Sequence, residues 1–504
     1  MSSHHHDAEE LIAEPLDEPT DGALSHRQII TILLGLMAGM FLAALDQTIV
    51  ATAMPTIGRA LNDVEQLPWV VTAYLLSSTA VTPLYGKLSD IHGRRTMMLV
   101  SIGIFMVGSV ACALAPTMLA LILARGLQGI GGGGLISLAQ TIIGDIVAPK
   151  ERARYQAYFA TVFVASSIAG PILGGFFAQH LHWSVIFWIN LPMGLVALRM
   201  TDSTLRRLPR HERPHRLDLV GAVLIVTATI AFLLALSWGG IHYPWGSPVI
   251  LGLLAATAVL AVLFALRIVS AEEPFLPLTI LLEPVVCWGT ATACFAMGTF
   301  IGLSIYVPVY FELGLGLSAS QSGMALVPLM VGVISGATLS GRMMTSLRHY
   351  KRPPMLGLAV ALLSALALSY DPLALPLPVV ALLLALVGSG MGTVLPVTTV
   401  AIQNAVPMHQ LGTATGTMNF FRSLGGAIAV AGFGALILRG IPIHHDAGLT
   451  RLPGLDAGLL NTVFHQLFLA AAAGFASSLA CLVVMQERPL RSSKAPSSAS
   501  AMAE

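Results

Sequence analysis

The chain has 504 residues, of which 55% are hydrophobic and only 10% charged, with a formal net charge of +1. A mean hydropathy of +0.80 over that length excludes a single soluble core, since soluble domains are about 25% charged, and calls for many membrane spans. The balance of charge leaves no basic domain for nucleic acid. The four cysteines, Cys112, Cys287, Cys294 and Cys481, sit in or beside apolar runs with neither metal-ligand spacing nor a secreted framework.

In chain order, Met1 to Leu24 is acidic, contains proline and has no apolar stretch of its own. It reads as a tail, His4-His5-His6 included, rather than as a cleavable signal. Apolar runs long enough to cross a bilayer as helices then fall at 29–53, 67–85, 96–115, 118–142, 155–179, 184–200, 217–238 and 248–269. Six more follow at 286–311, 321–345, 354–370, 376–402, 411–438 and 462–485. The prediction is an all-α polytopic membrane protein with fourteen spans, or twelve if neighbouring runs are miscounted.

With the N-terminus placed inside, one side of the membrane holds nearly all of the 26 Lys and Arg residues. The exceptions are Arg59, Arg439 and Arg451 outside, and Arg125 and Arg422 within spans. This positive-inside pattern puts both termini in the cytoplasm. Six spans precede the Arg-rich loop 199–216, two lie between, and six follow. The predicted organisation is a tail (1–28), a six-helix bundle (29–200), a loop with two extra helices (201–285), a second six-helix bundle (286–486) and a tail (487–504). After the second span of the last six, Gly341–Arg348 stands where a repeat of Gly86–Arg95 belongs. It keeps the leading glycine and basic character but lacks the Asp and the second glycine. Repeated halves with a site between them are a common transporter plan.

The polar motifs lie against this background. Gly86-Lys87-Leu88-Ser89-Asp90-Ile91-His92-Gly93-Arg94-Arg95 is a compact charged turn between spans two and three. The spacing of Gly86, Asp90, Gly93, Arg94 and Arg95 resembles the loop signature of the major facilitator superfamily. In span one, Asp46 lies within the apolar run Leu45–Ile57. A carboxylate there is costly, so it faces a cavity or a partner. The run is similar to the first-helix signature of drug:proton antiporters, the fourteen-span EmrB/QacA-type branch, with Asp46 and Pro55 at its Asp and Pro. Span four opens with Arg125-Gly126-Leu127-Gln128-Gly129-Ile130-Gly131-Gly132-Gly133-Gly134. Without a Gly-Lys-Ser/Thr ending or a preceding strand this is no phosphate loop, and glycines in a membrane helix permit close packing. Span five carries Gly170-Pro171-Ile172-Leu173-Gly174-Gly175, with Gly170 and Gly174 on one face. It matches the Gly-Pro core of the antiporter signature, and His182–Gly194 resembles that branch's opening of helix 6. In the second half, Leu411–Gly426, with Arg422 inside it, resembles the thirteenth span. Tyr306–Glu312 departs from the branch, with Glu312 where relatives carry Gln.

The resemblance covers residues 29 to about 486. It implies the major facilitator fold, two six-helix bundles plus two additional central helices. The implied activity is export of amphipathic drugs or toxic compounds in exchange for protons, driven by the proton gradient with no cofactor, metal or enzyme chemistry. Asp46, Arg125, Glu312 and Arg422 are the candidate proton-coupling and substrate residues. Gly86, Asp90, Gly93, Arg94, Arg95 and Asp145 form the candidate cytoplasmic gate, and Gly170, Pro171, Gly174 and Gly175 the antiporter motif. The implied setting is the bacterial inner membrane, with a periplasmic adaptor and outer-membrane channel as further partners. For each of these groups a structural reading stands beside the functional one. Asp46 and Arg125 could be a fixed ion pair, the gate solvated loop charge, and Glu312 a water-exposed loop edge. His444-His445-Asp446 could bind metal but reads better as an outer loop. Two other functions fit the pattern: export of one narrow physiological solute, and a membrane sensor that reuses the fold.

Overall fold

In a computed structural model the described residues are 26–63, 65–206, 217–347, 349–440 and 457–490. His4–His6, the arginines at 207–216, His444-His445-Asp446 and the tail residues 1–25 and 491–504 lie outside them. Fourteen of the described helices are long and apolar enough to cross a membrane. The only strand-like feature among the described residues is an isolated bridge between Gly239 and Tyr243.

The first eight spans are α1 (His26–Ala60), α2 (Leu67–His92), α3 (Arg94–Ala113), α4 (Met118–Ile146), α5 (Pro149–His180), α6 (Val185–Leu205, with a turn at Ile189), α7 (Leu219–Trp238) and α8 (Pro248–Ser270). The last six are α9 (Pro284–Val309, continued by a π-helical turn, Tyr310–Gly314), α10 (Val327–Ser346), α11 (Arg352–Tyr370), α12 (Leu377–Ala405), α13 (Leu411–Gly440) and α14 (Ala457–Val484). Proline occupies the first turn of α2, α5, α8 and α9, where its missing N–H costs nothing. Thr117 and Ser247 cap α4 and α8 by accepting from the amides of Ala120 and Ile250. The apolar runs at 29–53 and 67–85 end early: α1 continues through Pro55 to Ala60 and α2 to His92. Polar residues in a last turn interrupt a hydropathy count but not a hydrogen-bonded helix.

The repeat is visible in the packing. Within the first six helices α2 packs on α4, α3 on α4 and on α6, and α1 on α4, α5 and α6. The last six reproduce every one of these pairings: α10 on α12, α11 on α12 and α14, and α9 on α12, α13 and α14. Each half has its own core, with Leu36, Phe105, Leu135 and Ile142 in the first and Leu303, Tyr310, Leu384 and Phe464 in the second. The glycines of α4 serve this packing. A side chain at Gly133 would strike the backbone of Ser78 on α2, and one at Gly131 the backbone of Phe105 on α3. The α7–α8 pair leans on the first half through α2.

The contacts between halves follow the same symmetry: α2 meets α13 while α10 meets α5, and α4 meets α13 while α12 meets α5. Every hydrogen bond described between the halves lies at the end of the molecule that carries Gly86–Arg95. The halves are therefore closed on each other at that end.

Candidate functional site

The first polar cluster is buried inside the first half. Asp46 on α1 and Arg125 on α4 are 0% and 1% exposed and pair at 2.5 Å through Arg125 Nη1. The other carboxylate oxygen accepts from Gln128 Nε2 at 2.9 Å and from Asn190 Nδ2, on α6, at 2.8 Å. Arg125 also donates from Nε to the Val70 carbonyl of α2 and from Nη1 to Gln128 Oε1, and its guanidinium lies 4.4 Å from the centre of the Tyr74 ring. Ser109 of α3 accepts from both Gln128 and Asn190. Five helices thus contribute to one buried network of balanced charge. A buried ion pair survives in a low dielectric only when its remaining polar atoms are satisfied, which the two carboxamides do for Asp46. The chemical consequence is a coupling: a proton placed on Asp46 leaves Arg125, which cannot be deprotonated, without its counter-charge.

The second cluster closes the Gly86–Arg95 end. Arg94 donates from Nε to Asp145 at 2.6 Å and from Nη1 to Asp90 at 2.5 Å and Ser89 at 2.7 Å. Asp90 reaches across to the other half, accepting from the amides of Gly412 and Thr413 at 3.0 and 2.7 Å and from the Thr413 hydroxyl at 2.6 Å. The carboxylate therefore caps the N-terminus of α13, where free amides and the positive end of the helix dipole favour an anion. Gly86 makes this approach possible, since a side chain there would collide with the Gly412 backbone. Gly93 turns the chain between α2 and α3 with φ of +85°, a conformation that suits glycine. Arg95 takes no part in this contact and pairs instead with Asp202 near the end of α6, which also holds Arg206. On the symmetry-related side Gly341 lies against the backbone of Ala153 at the start of α5, with no acid in the place of Asp90.

A third cluster spans the junction one to three turns farther along α13. Gln403 of α12 donates to the Gln140 carbonyl of α4 at 3.1 Å and to the Thr415 hydroxyl at 3.2 Å. Asn419 donates to Gln140 Oε1 at 2.8 Å, and Arg422 Nη1 donates to Asn419 Oδ1 at 3.0 Å.

The candidates named from sequence are thus divided. Asp46 and Arg125 come together, as do Gly86, Asp90, Gly93, Arg94 and Asp145, whereas Arg422 belongs to the third cluster. Glu312 joins none of them. It is exposed in the π-helical turn that ends α9 and makes no ion pair among the described residues. The antiporter motif also splits. Gly170 and Gly174 seat α5 against Thr48, Ile49 and Thr52 of α1, while Pro171 is exposed and Gly175 has no neighbour in reach. Asn190, Ser109, Tyr74, Thr413, Asp202, Gln140 and Gln403 were not foreseen as site residues. Asn190 and Gln140 carried a usable signal, an amide side chain within an apolar run.

A family profile described as Major Facilitator Superfamily matches residues 36–430. The chain is 35% identical over 419 residues to the multidrug transporter protein MdtP of Bacillus subtilis (strain 168), covering 83% of this chain and 76% of that one. It is 32% identical over 407 residues to multidrug resistance protein 3 of the same organism, covering 80% and 79%. Among solved structures, the proton:xylose symporter XylE superposes with a TM-score of 0.60 over 89% of this chain and 95% of its own. At 14% identity this is a likeness of fold.

Proposed function

The chain belongs to the major facilitator superfamily of membrane transporters, and on that premise we propose that it exports amphipathic compounds in exchange for protons. It acts as a transporter and not as an enzyme, so its polar clusters serve movement rather than bond chemistry. The observation that carries the proposal is the sealed Asp46–Arg125 pair, on the same helix system as a latch between the halves. Multidrug transporters among the relatives support the choice of substrate, and the fourteen membrane-length helices among the described residues are consistent with the fourteen-span branch.

The mechanism follows from charge. With the Gly86–Arg95 end assigned to the cytoplasm by the positive-inside pattern, this conformation is closed inward. A proton arriving from outside neutralises Asp46 and strands the buried Arg125 cation. That cost is relieved only if α1 and α4 shift and bring new partners or water to the guanidinium. Arg125 and Asp145 lie on one helix, 20 residues or about 30 Å apart. Movement of α4 is thereby delivered to the Asp145–Arg94–Asp90 latch, which releases α13 and opens the cytoplasmic side. Solute enters, the proton leaves Asp46 inward, and the pair and the latch re-form. Both termini lie in the cytoplasm, and the membrane is the bacterial inner membrane.

The test is transport of a fluorescent amphipath in proteoliposomes with and without an imposed pH gradient. Accumulation should follow the gradient and collapse when protons are equilibrated. Equal movement with the gradient dissipated would remove proton coupling, and no movement of a broad substrate panel would remove multidrug export.

A further inference from the structure

Arg422 is a buried cation with no counter-charge among the described residues. It is 8% exposed, makes its side-chain bond to neutral Asn419, and its Nε has no partner. No carboxylate pairs with it among the described residues. Arg125, by contrast, has an aspartate, two aromatic faces and a carbonyl around it. Holding a guanidinium in a low dielectric without such support is costly, and arginine does not shed its proton to escape the cost.

Its place in the fold gives that cost a use. Nine residues of α13 separate Arg422 from the Thr413 latch, about 14 Å along the axis. Between them run the bonds of Gln140 to Gln403 and Asn419, and no bond between the halves is described beyond Arg422. Arg422 therefore stands just past the last bonds described between the halves. When the halves part at the Gly86 end, Gln140 withdraws from Asn419 and Gln403, and the same guanidinium faces the newly opened side. A group between two rocking halves is offered to each side in turn, as a transported solute requires.

We infer that Arg422 is the anchor for an anionic oxygen on the transported molecule, so that the substrates include amphipathic carboxylates or phenolates. This rests on the transport reading above and deepens it. The unpartnered Nε and the adjacent Nη form one side of the guanidinium fork, the geometry that grips a carboxylate through two parallel bonds. Asn419 holds the opposite side and aims the fork.

The experiment compares two fluorescent probes with a common apolar body, pyrenebutyrate and pyrenebutyl-trimethylammonium, in proteoliposomes under a pH gradient. In Arg422→Gln the KM for the carboxylate should rise at least tenfold relative to that for the ammonium, with Arg422→Lys intermediate. Asn419→Ala, which keeps the charge but frees the fork, should raise the carboxylate KM several-fold. Equal effects on both probes, or none on the carboxylate, would overturn the inference. So would a wild type that moves only the ammonium, although the transporter reading would then stand. If the wild type moves neither probe, pyrenebutyrate binding to purified protein decides the matter. A Kd weakened at least tenfold in Arg422→Gln retains the site although neither probe is exported, and an unchanged Kd removes the site.

Discussion

Asp46 and Arg125 are each intelligible only through the other. Each would be expensive alone in the membrane interior, and the network of Gln128, Asn190 and Ser109 leaves the pair little freedom to rearrange one member at a time. Asp46→Asn keeps the shape of the side chain but removes the counter-charge of a fully buried arginine. It should abolish gradient-linked transport and destabilise the protein by about 3–5 kcal/mol, the cost of breaking a buried pair from one side. Thermal unfolding in detergent, read beside transport, checks this. Adding Arg125→Gln should recover much of the stability and none of the coupling. A single variant that transports at wild-type levels would assign the pair a purely structural role.

At the scale of elements, two close approaches decide how the helices sit. Gly174 lets α5 lie on α1 one turn beyond Asp46, and Gly86 lets α2 lie on α13. Gly174→Val should force α5 away from Thr52 and Ile49 and lower the melting temperature by several degrees, whereas the same change at Gly175, which faces open space, should be nearly silent. Gly86→Val should separate α2 from α13 instead. Its signature is loss of an engineered Gly86-end cross-link between the halves, with the helical content unchanged. The glycine-rich motifs are therefore packing devices, and Pro171, carried within a continuous α5, is exposed rather than seated on α1.

For the whole molecule the controlling quantity is the difference in free energy between the closed and open arrangements of the Gly86–Arg95 end. Asp90 alone of the two symmetry-related positions supplies an acid to the facing helix, so the latch is one-sided. Asp90→Asn exchanges charge-assisted bonds for neutral ones. A loss of about 1.5–3 kcal/mol shifts a two-state equilibrium roughly ten- to a hundredfold. Distances between spin labels placed on α2 and α13 at that end should lengthen accordingly. An unchanged distribution would mean that the remaining contacts of α5 with α10 and α12 suffice to hold the halves together.

The number of spans, the division into two related halves and the positions of the buried charges were legible in the chain, because apolar runs and misplaced ions reflect transfer from water and need no knowledge of neighbours. Asp46 and Arg125 stood out for that reason, and Asp90 and Arg94 for their spacing in a charged turn between two spans. Their partners did not. Asn190 lies 144 residues from Asp46, and Thr413 lies 323 from Asp90, and an amide or hydroxyl in a helix looks alike whether it faces lipid, a neighbour or an ion. Glu312 and Arg422 show the same limit from both directions, since each is one ion near or within an apolar run. Only helix packing left the first exposed at the end of α9 and the second buried with no counter-charge among the described residues. Composition and pattern determined what had to be buried and how many helices would bury it. Tertiary structure decided which charges met, because pairing depends on crossing positions that separate stretches of the chain settle only jointly.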